Sequence, residues 1–330
     1  MTTLREALAK YAELVNNSLQ AFFEPKLDND LYKAAYHLLK AGGKRLRPFL
    51  TIQSCLAVGG SEKEALPGAL AVELLHNFTL VHDDIMDRDL IRRGVPTVHA
   101  KWGVPMAILA GDLLFALSFE ALSQAEGLVS SKRLEKAYEL LARVAVEICE
   151  GQSLDMSFEE RLDVSEEEYL SMIEKKTAAL FETSTKLGAL LGGGSQDQVE
   201  ALASYGRNVG LAFQIKDDIL GVVSEEKVLG KPVGSDLREG KKTIVVIYAL
   251  EHASPSDREL LMKVLGSKQC SEEDLKKALE VLSTTGAIEY AYKQARRYVE
   301  DGLRHLSSLP ESTSRRILAE LAEFIVTREK

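Results

Sequence analysis

The most informative segment of the sequence is ELLHNFTLVHDDIMD, residues 73–87. Its apolar residues recur at helical spacing with no proline or glycine between them, so the segment is predicted to be a helix. The helix ends in acids, and the spacing of Asp83 and Asp87 puts both carboxylates on one face, about 6 Å apart along the axis. His76 falls near the same face. Because like charges at this spacing destabilise a helix, a plain helix gains nothing from them.

Two interpretations of this acidic helix end follow from its chemistry. A divalent cation would turn the repulsion between the carboxylates into attraction. Hard oxygen ligands with few other donors suit Mg2+, which keeps several waters and also binds substrate phosphates. A lone Asp-Asp-x-x-Asp pattern is more often a solvated helix terminus, so the metal interpretation depends on what else the chain carries.

Composition and charge restrict the class of protein. With 330 residues, 45% hydrophobic and 28% charged, the chain has the composition of an ordinary globular protein. Its net charge of −9 argues against nucleic acid as a principal partner, whereas local clusters of basic residues suit a small polyanionic ligand. The cysteines Cys55, Cys149 and Cys270 are far apart and in no ligand pattern, so neither disulfides nor a zinc site is predicted.

No targeting or membrane segment is predicted. The first residues, MTTLREA, have neither the apolar core of a secretory signal nor the character of a transit peptide. Asp112 interrupts the most apolar run, which leaves no uncharged stretch of membrane-spanning length. We therefore expect a cytoplasmic protein without a transmembrane segment.

Helical periodicity extends over almost the whole chain. One ambiguous segment is TIVVIY, residues 243–248, which is also compatible with a strand. No linker is long enough to separate domains, so the sequence predicts a single all-α domain over residues 1–330, a bundle of about a dozen helices. The predicted helices span 3–23, 28–40, 48–58, 67–87, 105–124, 132–156, 165–191, 196–222, 243–252, 256–265, 271–284, 287–307 and 311–327.

A second acidic helix end follows later in the chain, in FQIKDDILG at residues 213–221. Again an apolar helix ends in paired aspartates, here Asp217 and Asp218. One such pair alone would be a solvated helix end. Two helices of the same pattern suggest that they face each other across a central cavity, with acids at its mouth and apolar residues below, as in the metal sites of helix bundles.

Basic residues accompany both acidic helix ends and a third segment. In GGKRLRP, residues 42–48, cations occupy three of four consecutive positions beside a predicted helix N-terminus, where N–H groups and the helix dipole favour an anion. A surface turn explains the glycines and the proline but not the cations. Arg92 and Arg93 follow the first acidic cluster, and Lys231 and Lys241 follow the second. The pattern suits two diphosphate groups, one bound through metal and one directly.

These residues together resemble those of the trans-isoprenyl diphosphate synthase (polyprenyl synthetase) family over most of the chain. Within that family the chain is most similar to short-chain geranylgeranyl diphosphate synthases of archaeal type. The matching residues are Gly42-Gly43-Lys44 with Arg47-Pro48, His76, Asp83-Asp84 with Asp87, Arg92-Arg93-Gly94, Lys176-Thr177, Gln214 with Asp217-Asp218, Lys231, and Gly240-Lys241-Lys242-Thr243. Each match alone is weak, but their order and spacing are very specific.

The resemblance implies an isoprenoid synthase fold and the chemistry of that family. The family joins isopentenyl diphosphate head-to-tail to an allylic diphosphate (dimethylallyl, geranyl or farnesyl) by ionisation, condensation and elimination, with Mg2+. Three Mg2+ ions are expected in the substrate complex, two held by Asp83 and Asp87 with help from Asp84, and a third held by Asp217 with support from Asp218. A homodimer is also implied.

The resemblance further implies which side chains hold the two substrates. Isopentenyl diphosphate would be bound by Lys44, Arg47, His76 and Arg93. The allylic diphosphate would be bound by Arg92, Lys176, Lys231 and Lys241, with its reactive end lined by Thr177 and Gln214. The residues implied to be catalytic are Asp83, Asp84, Asp87, Asp217, Lys176 and Lys231.

Phe78 and Thr79 are implied to set product length. Phe78 precedes Asp83 by about 7.5 Å along the helix axis, where the family has an aromatic floor under the growing chain. A single aromatic there, beside the small Thr79, resembles geranylgeranyl diphosphate synthases of archaeal type. Ideal helix geometry turns Phe78 by roughly 140° from Asp83, so packing between helices is the alternative role for this ring.

Several alternative functions stay open on the sequence. They are a farnesyl diphosphate synthase, a longer-chain polyprenyl diphosphate synthase, a terpene cyclase and a non-catalytic regulatory subunit. A terpene cyclase has no need of a second diphosphate site, and a non-catalytic subunit is not expected to keep both aspartate clusters. One departure from the family pattern is Gly221, which stands where many relatives have a third aspartate in the second cluster.

Overall fold

The fold is built almost entirely from helices. A computed structural model describes residues 3–159, 161–223, 234–267 and 269–328. The all-α fold class predicted from the sequence is confirmed. The helices are α1 (Leu4–Phe23), α2 (Asp30–Lys40), α3 (Leu46–Ala57), α4 (Glu62–Asp87), α5 (Val98–Trp102), α6 (Val104–Ser123), α7 (Ser131–Glu159), α8 (Glu166–Ile173), α9 (Ala179–Leu191), α10 (Gln196–Val223), α11 (Ser235–Glu239), α12 (Ile244–His252), α13 (Pro255–Val264), α14 (Glu272–Thr284), α15 (Ala287–Leu306) and α16 (Thr313–Thr327).

Three short elements complete the described chain. A 3₁₀ turn, Glu24–Lys26, follows α1, and a π turn, Glu174–Ala178, joins α8 to α9. Between α4 and α5, the two-residue strands β1 (Ile91–Arg92) and β2 (Val95–Pro96) pair antiparallel. The sequence predicts a plain loop between α4 and α5, whereas the structure has the β1–β2 pair there. It also predicts one uninterrupted helix over 165–191, whereas the structure has a π turn at Glu174–Ala178.

The chain divides into two compact units, and the first comprises Met1–Ala145, Leu180–Gly206 and His305–Leu321. Its central element is α4, which packs against α3 and α6. Residues 69–75 of α4 are buried on every side, so this helix belongs to the core. Gly111 of α6 permits the close contact with α4, because a Cβ there would lie only 2.2 Å from Nε2 of His82.

The start of α4 lies earlier than the predicted start at Pro67. The helix begins at Glu62, because Ser61, the residue before it, forms a capping box with Glu64. Each of these two side chains accepts a hydrogen bond from the backbone N–H of the other residue. Pro67 is accommodated inside the helix, where it removes one backbone hydrogen bond but is itself buried. Likewise, α3 begins at Leu46 rather than at Pro48.

The second unit comprises Val146–Ala179, Arg207–Arg304 and Ala322–Lys330. Its core joins apolar side chains of α8, α10, α12, α14 and α15, and fully buried members include Tyr169, Ile215 and Ile244. The ambiguous run at 243–248 is helical from Ile244, with Thr243 as the N-cap of α12, and residues 244–247 are all buried, as expected of a core helix. The prediction of a single domain stays a prediction.

One described helix, α6, is long and apolar enough to cross a membrane by length and composition alone. Core helices of water-soluble proteins share this property. The absence of a transmembrane segment therefore stays a prediction.

Candidate active site

The first acidic cluster, Asp83, Asp84 and Asp87, lies at the C-terminal end of α4. Asp87 is the last helical residue, and Arg88 ends the helix in the left-handed conformation with φ of 59°. Asp83 and Asp87 are half-buried, whereas Asp84 is fully buried. The side chains at 83 and 87 thus keep exposed surface and Asp84 lies within the protein.

Arg92, on β1, pairs with this acidic cluster. Its Nε donates to Oδ1 of Asp84, and its Nη2 lies 3.7 Å from Oδ2 of Asp83 and 3.5 Å from Oδ2 of Asp89. Burial alone would lower the pKa of Arg92, but the neighbouring carboxylates outweigh it and raise that pKa. Arg92 therefore compensates acids that stand at the negative end of the helix dipole.

Burial raises the pKa of Asp84 to about 6, although the Arg92 guanidinium opposes the shift. The second carboxylate oxygen of Asp84, Oδ2, is buried with no hydrogen-bond partner among the residues that the structure describes. A buried acceptor without a donor lowers the stability of the folded protein. The last turn of α4 therefore has capacity for a further cation.

The side chains assigned to isopentenyl diphosphate all belong to the first unit. Lys44 is exposed in the loop between α2 and α3, and Arg47 lies on the first turn of α3. Nη1 of Arg47 is 3.2 Å from Nε2 of His76, and its guanidinium carbon lies 4.7 Å from the centre of the Phe181 ring. Arg93 donates from Nη1 to the backbone oxygen of Leu38 at 2.9 Å. The structure thus brings Arg47 and His76 into contact.

His76 is neutral in this setting. Burial lowers its pKa well below the usual value, and the positive charges of Arg47 and Arg93 lower it further. Because Arg47 can only donate, Nε2 of His76 acts as the acceptor and the ring proton resides on Nδ1. His76 therefore orients the Arg47 guanidinium and does not add a further positive charge.

Arg45 does not extend this cationic group, although the sequence places it between Lys44 and Arg47. Its backbone has φ of 50°, in the left-handed region, and its side chain is buried. The guanidinium instead pairs with Glu73 of α4. Of the three cations at positions 44–47, Arg45 is thus the one whose side chain lies in the core, where it pairs with Glu73.

The second acidic cluster belongs to the second unit, and its two aspartates have different surroundings. Asp217 is half-buried and its Oδ1 lies 2.5 Å from Nη2 of Arg328, which is itself buried. The Arg328 guanidinium also lies 4.2 Å from the centre of the Phe213 ring. Arg328 was missed by the sequence analysis, because a single arginine near the end of a chain carries no local pattern.

Asp218 is buried within a chain of hydrogen bonds. Its Oδ2 accepts from the Tyr169 hydroxyl at 2.6 Å, and its Oδ1 accepts from Nε2 of Gln214 at 2.8 Å. The Gln214 side-chain oxygen accepts in turn from the Thr177 hydroxyl at 2.8 Å. Burial raises the pKa of Asp218 to about 7, although the Tyr169 and Gln214 donors oppose the shift. The resemblance implies that Thr177 and Gln214 line the same end of the allylic substrate, and the structure shows their side chains in direct contact.

Lys176 lies in the π turn, next to Thr177. Its Nζ is 2.5 Å from Oδ2 of Asp155 on α7, a carboxylate that the sequence analysis did not single out. Gly151, one helical turn before Asp155, permits this approach, since a Cβ there would lie 2.3 Å from the backbone nitrogen of Lys176. The Gly-x-x-x-Asp spacing at 151–155 is the signal that could have identified both residues.

The remaining predicted residues of the second unit lie after α10. Lys241 has its Nζ 3.6 Å from Oε2 of Glu239, and Lys231 lies outside the described residues. A Cβ on Gly221 would lie 2.8 Å from Oδ2 of Asp236. A carboxylate is thus present at the place where the sequence lacks its third aspartate, although it comes from α11.

Phe78 and Thr79 both lie on α4 in the first unit. The Phe78 ring is 5.4 Å from that of Phe115 on α6 and 4.9 Å from that of His82. Phe115 is followed by Phe119 at 5.3 Å, and Phe119 stacks on Tyr138 at 6.4 Å. The Thr79 hydroxyl donates to the backbone oxygen of His76 at 2.8 Å, as is usual for threonine inside a helix. Phe78 thus begins a row of aromatic rings.

The donor set fits Mg2+ better than a metal that needs a complete protein cage. Among the described residues, no three carboxylate, imidazole or thiol groups converge on one point. Mg2+ is usually held by one or two carboxylates, with waters and substrate phosphates filling its other positions. The carboxylates of Asp83 and Asp87, two half-buried residues, and the buried Oδ2 of Asp84 are donors of this kind.

Comparison with known proteins agrees with this arrangement. A family model described as Polyprenyl synthetase matches residues 28–282. A short chain isoprenyl diphosphate synthase of Methanothermobacter thermautotrophicus is 49% identical over 329 residues, covering 100% of both chains. A geranylfarnesyl diphosphate synthase of Aeropyrum pernix is 44% identical over 302 residues, covering 90% of this chain and 94% of the other.

A solved structure is also similar over nearly the whole chain. The crystal structure of geranylgeranyl pyrophosphate synthetase from Pyrococcus horikoshii superposes with a TM-score of 0.92 and 44% sequence identity. The similarity covers 98% of this chain and 99% of that chain.

Proposed function

Because the chain belongs to the polyprenyl synthetase family, we propose that it extends allylic diphosphates with isopentenyl diphosphate and releases mainly geranylgeranyl diphosphate. It is a prenyltransferase of short-chain type. The allylic substrates are dimethylallyl, geranyl and farnesyl diphosphate in turn. The observation that carries the proposal is a cationic group centred on Arg47, which contacts the neutral His76, in the same unit as a separate acidic cluster.

The two groups of side chains are suited to two different diphosphates. Lys44, Arg47 and Arg93 supply positive charge, and His76 supplies a fixed acceptor for Arg47, so this group can bind a diphosphate without metal. Asp83, Asp84 and Asp87 would repel a bare diphosphate and need cations between themselves and the ligand. We assign the first group to isopentenyl diphosphate and the second to the allylic diphosphate.

Asp83, Asp87 and Asp217 are the side chains that would hold Mg2+, three ions in the full substrate complex. When bound, Mg2+ would supply positive charge to the diphosphate that leaves the allylic carbon. We also assign to this diphosphate the positive charges of Arg92, Lys176, Lys231 and Lys241. Asp155 holds the Lys176 ammonium in place, at 2.5 Å.

The reaction needs no protein nucleophile. The bond between C1 and oxygen of the allylic diphosphate breaks, and the diphosphate leaves with the electron pair. The double bond of isopentenyl diphosphate then attacks C1, a new carbon–carbon bond forms, and the resulting cation loses a proton from C2 to the released diphosphate. Thr177 and Gln214 are paired at 2.8 Å, and we assign this pair to the reactive end of the allylic substrate.

Product length is assigned to Phe78. Its ring begins a row that continues through Phe115 and Phe119 with tilted and edge-on contacts, so a chain growing along α4 would meet packed aromatic rings. Such rings are held by their mutual packing and yield less readily than aliphatic side chains. This supports a product of limited length and favours C20 over much longer products.

We also propose that the protein is a cytoplasmic homodimer. The outer face of α6 exposes apolar side chains, with Val104, Ile108 and Leu109 between 44% and 52% exposed. A row of this kind is suited to burial against a second copy. Light scattering of the purified protein would test this, and a monomer at micromolar concentration would contradict it.

One assay tests the proposed function against its alternatives. The purified protein is incubated with Mg2+, isopentenyl diphosphate and labelled dimethylallyl diphosphate, and the products are separated by chain length. We expect linear C20 diphosphate. Farnesyl diphosphate alone, products of C30 or longer, cyclic hydrocarbons or no product would each contradict it and identify, respectively, a C15 synthase, a long-chain synthase, a cyclase or a non-catalytic subunit.

A further inference from the structure

A buried polar network lies behind the cationic diphosphate site of the first unit. Arg45, between α2 and α3, is 4% exposed, and Glu73 of α4 is 2% exposed. The Arg45 guanidinium donates from Nη1 to Oε1 of Glu73 and from Nε to Oδ1 of Asn16 at 2.9 Å. It also donates from Nη2 to the backbone oxygen of Leu39 at 2.6 Å. Each nitrogen of the guanidinium therefore has an acceptor.

The network continues through Asn77 to Arg93. Asn77 is fully buried, and its Nδ2 donates to Oε1 of Glu73 at 3.0 Å. Its Oδ1 accepts from Nη1 of Arg93 at 3.3 Å. A Cβ on Gly43 would lie 3.2 Å from the guanidinium carbon of Arg93, so the loop that carries Lys44 is in direct contact with Arg93. The network thus connects the loop before α3 with the residue after β1.

The presence of Glu73 needs an explanation. A carboxylate beside a diphosphate site repels the ligand, and a buried ion pair is often no more stabilising than apolar residues of the same size. Pairing with Arg45 removes the net charge of Glu73. The pair can still fix the orientation of the Arg45 side chain, because a guanidinium whose nitrogens are all hydrogen-bonded has one orientation.

We propose that Arg45, Glu73 and Asn77 are positioning residues, which hold Lys44, Arg47 and Arg93 in the arrangement that binds the diphosphate of isopentenyl diphosphate. At Arg45 the backbone is left-handed and the side chain is buried, between the exposed Lys44 and the half-buried Arg47. Glu73 fixes that turn through Arg45 and fixes Arg93 through Asn77. The proposal rests on the proposed function, since it takes isopentenyl diphosphate as the ligand of these cations.

The test uses variants that separate positioning from stability. Asn77→Leu removes the link to Arg93 with little change in volume and leaves the ion pair intact. Glu73→Gln keeps the shape and removes the charge. The double variant Arg45→Met with Glu73→Leu replaces the pair by apolar side chains, which can preserve the melting temperature. Glu320→Gln, which breaks the surface pair with Arg316 on α16 at 2.9 Å, is the matched control.

Two readouts are taken for each variant. The first is the dissociation constant for isopentenyl diphosphate in EDTA, measured by calorimetry, and the second is the KM for each substrate with Mg2+. We expect a tenfold or larger loss of affinity for isopentenyl diphosphate in Asn77→Leu and in the double variant. The KM for geranyl diphosphate should change less than threefold, and Glu320→Gln should match the wild type.

The outcomes distinguish this inference from the proposed function. If the double variant keeps both its melting temperature and its affinity for isopentenyl diphosphate, the network is only structural and the inference is wrong. Equal shifts in the KM of both substrates would overturn it as well. If the wild type binds no isopentenyl diphosphate and makes no product from it, the proposed function itself fails.

Discussion

The hydroxyl of Tyr169 donates a 2.6 Å hydrogen bond to Oδ2 of Asp218, and both side chains are buried in the second unit. With Gln214 on the other oxygen, both carboxylate oxygens of Asp218 have protein donors. Asp217, the preceding residue, is by contrast half-buried. The two neighbouring aspartates of one motif therefore have different surroundings: Asp218 accepts hydrogen bonds from Tyr169 and Gln214, whereas Asp217 pairs with Arg328 and is the one that we propose as a metal ligand.

Tyr169→Phe is expected to loosen Asp218, which anchors Gln214, without creating a cavity. Loss of a donor to a buried carboxylate should lower the free energy of unfolding by about 1–3 kcal/mol. Since Gln214 then has a less defined orientation, kcat should also fall. Tyr205→Phe is the control, because Tyr205 is equally buried and donates to the backbone oxygen of Leu318 at 2.6 Å. If both variants lose stability and neither loses kcat, Tyr169 has no part in the reaction.

Asp83→Ala and Asp217→Ala should each reduce turnover by orders of magnitude, because charge stabilisation of the leaving diphosphate is made in the transition state. The fold should persist in Asp83→Ala, as measured by circular dichroism and melting temperature. Asp217→Ala also removes the ion-pair partner of Arg328 and should melt somewhat earlier. Near-normal turnover of either variant at saturating Mg2+ would contradict the metal assignment.

Lys44→Ala and Lys176→Ala should affect different substrates. The first is expected to raise the KM for isopentenyl diphosphate and the second the KM for the allylic diphosphate, because the two lysines lie in separate groups of charged residues. Surface cations with no ligand would contribute at most about 1 kcal/mol, equally for both substrates. Steady-state kinetics in which each substrate is varied in turn would distinguish these results.

His76 should make stability depend on pH. In the folded protein the pKa of His76 is well below the value of about 6.5 that it has in the unfolded chain. The stability that depends on neutral His76 is therefore fully present above pH 6.5 and is lost as pH falls towards the folded pKa. The free energy of unfolding should thus fall by up to about 1.4 kcal/mol per pH unit below pH 6.5. His76→Gln keeps an acceptor for Arg47 but does not titrate. Urea unfolding in EDTA at several pH values should give a smaller slope for His76→Gln, and equal slopes would contradict the neutral histidine.

Phe78→Ala should extend the product to C25 or longer, because it opens the row of rings at the end nearest the acids. Truncation of a packed aromatic also costs about 3–5 kcal/mol, so melting temperature is measured in parallel. Phe22→Ala, which removes another aromatic side chain of the first unit, in contact with Phe23, controls for that loss. A destabilised Phe78→Ala enzyme that still stops at C20 would show that Phe78 is only a packing residue.

Much of the fold could be predicted because helical periodicity is a local property. Each acidic cluster, at the end of α4 and in the last two turns of α10, is contiguous in the chain, and Arg92 and Arg93 closely follow the first, so these motifs are visible in the local sequence. Helix starts were less accurate, as at Pro67, since a capping box at Ser61 competes with the more visible proline. These differences come from local chemistry that the periodicity does not contain.

The partners of the site residues could not be predicted, because they come from distant parts of the chain. Asp155 pairs with Lys176 from another helix, and Arg328 reaches Asp217 from the region after α16. Arg45 shows a second limit: its neighbours in sequence are cations of the site, yet one left-handed residue turns it towards Glu73. Side-chain direction at such a turn depends on a backbone angle that composition does not specify.

The π turn at Glu174–Ala178 has a consequence for how this chain is aligned with others. A π turn is an α-helix with one residue inserted, so residues on its two sides are out of phase by about 100° relative to a regular helix. A related chain with a regular helix here must be aligned with a one-residue gap. Without that gap, the positions equivalent to Lys176 and Thr177 would be assigned to the wrong side of the helix, and a deletion of one residue in this turn would move the pair in the same way.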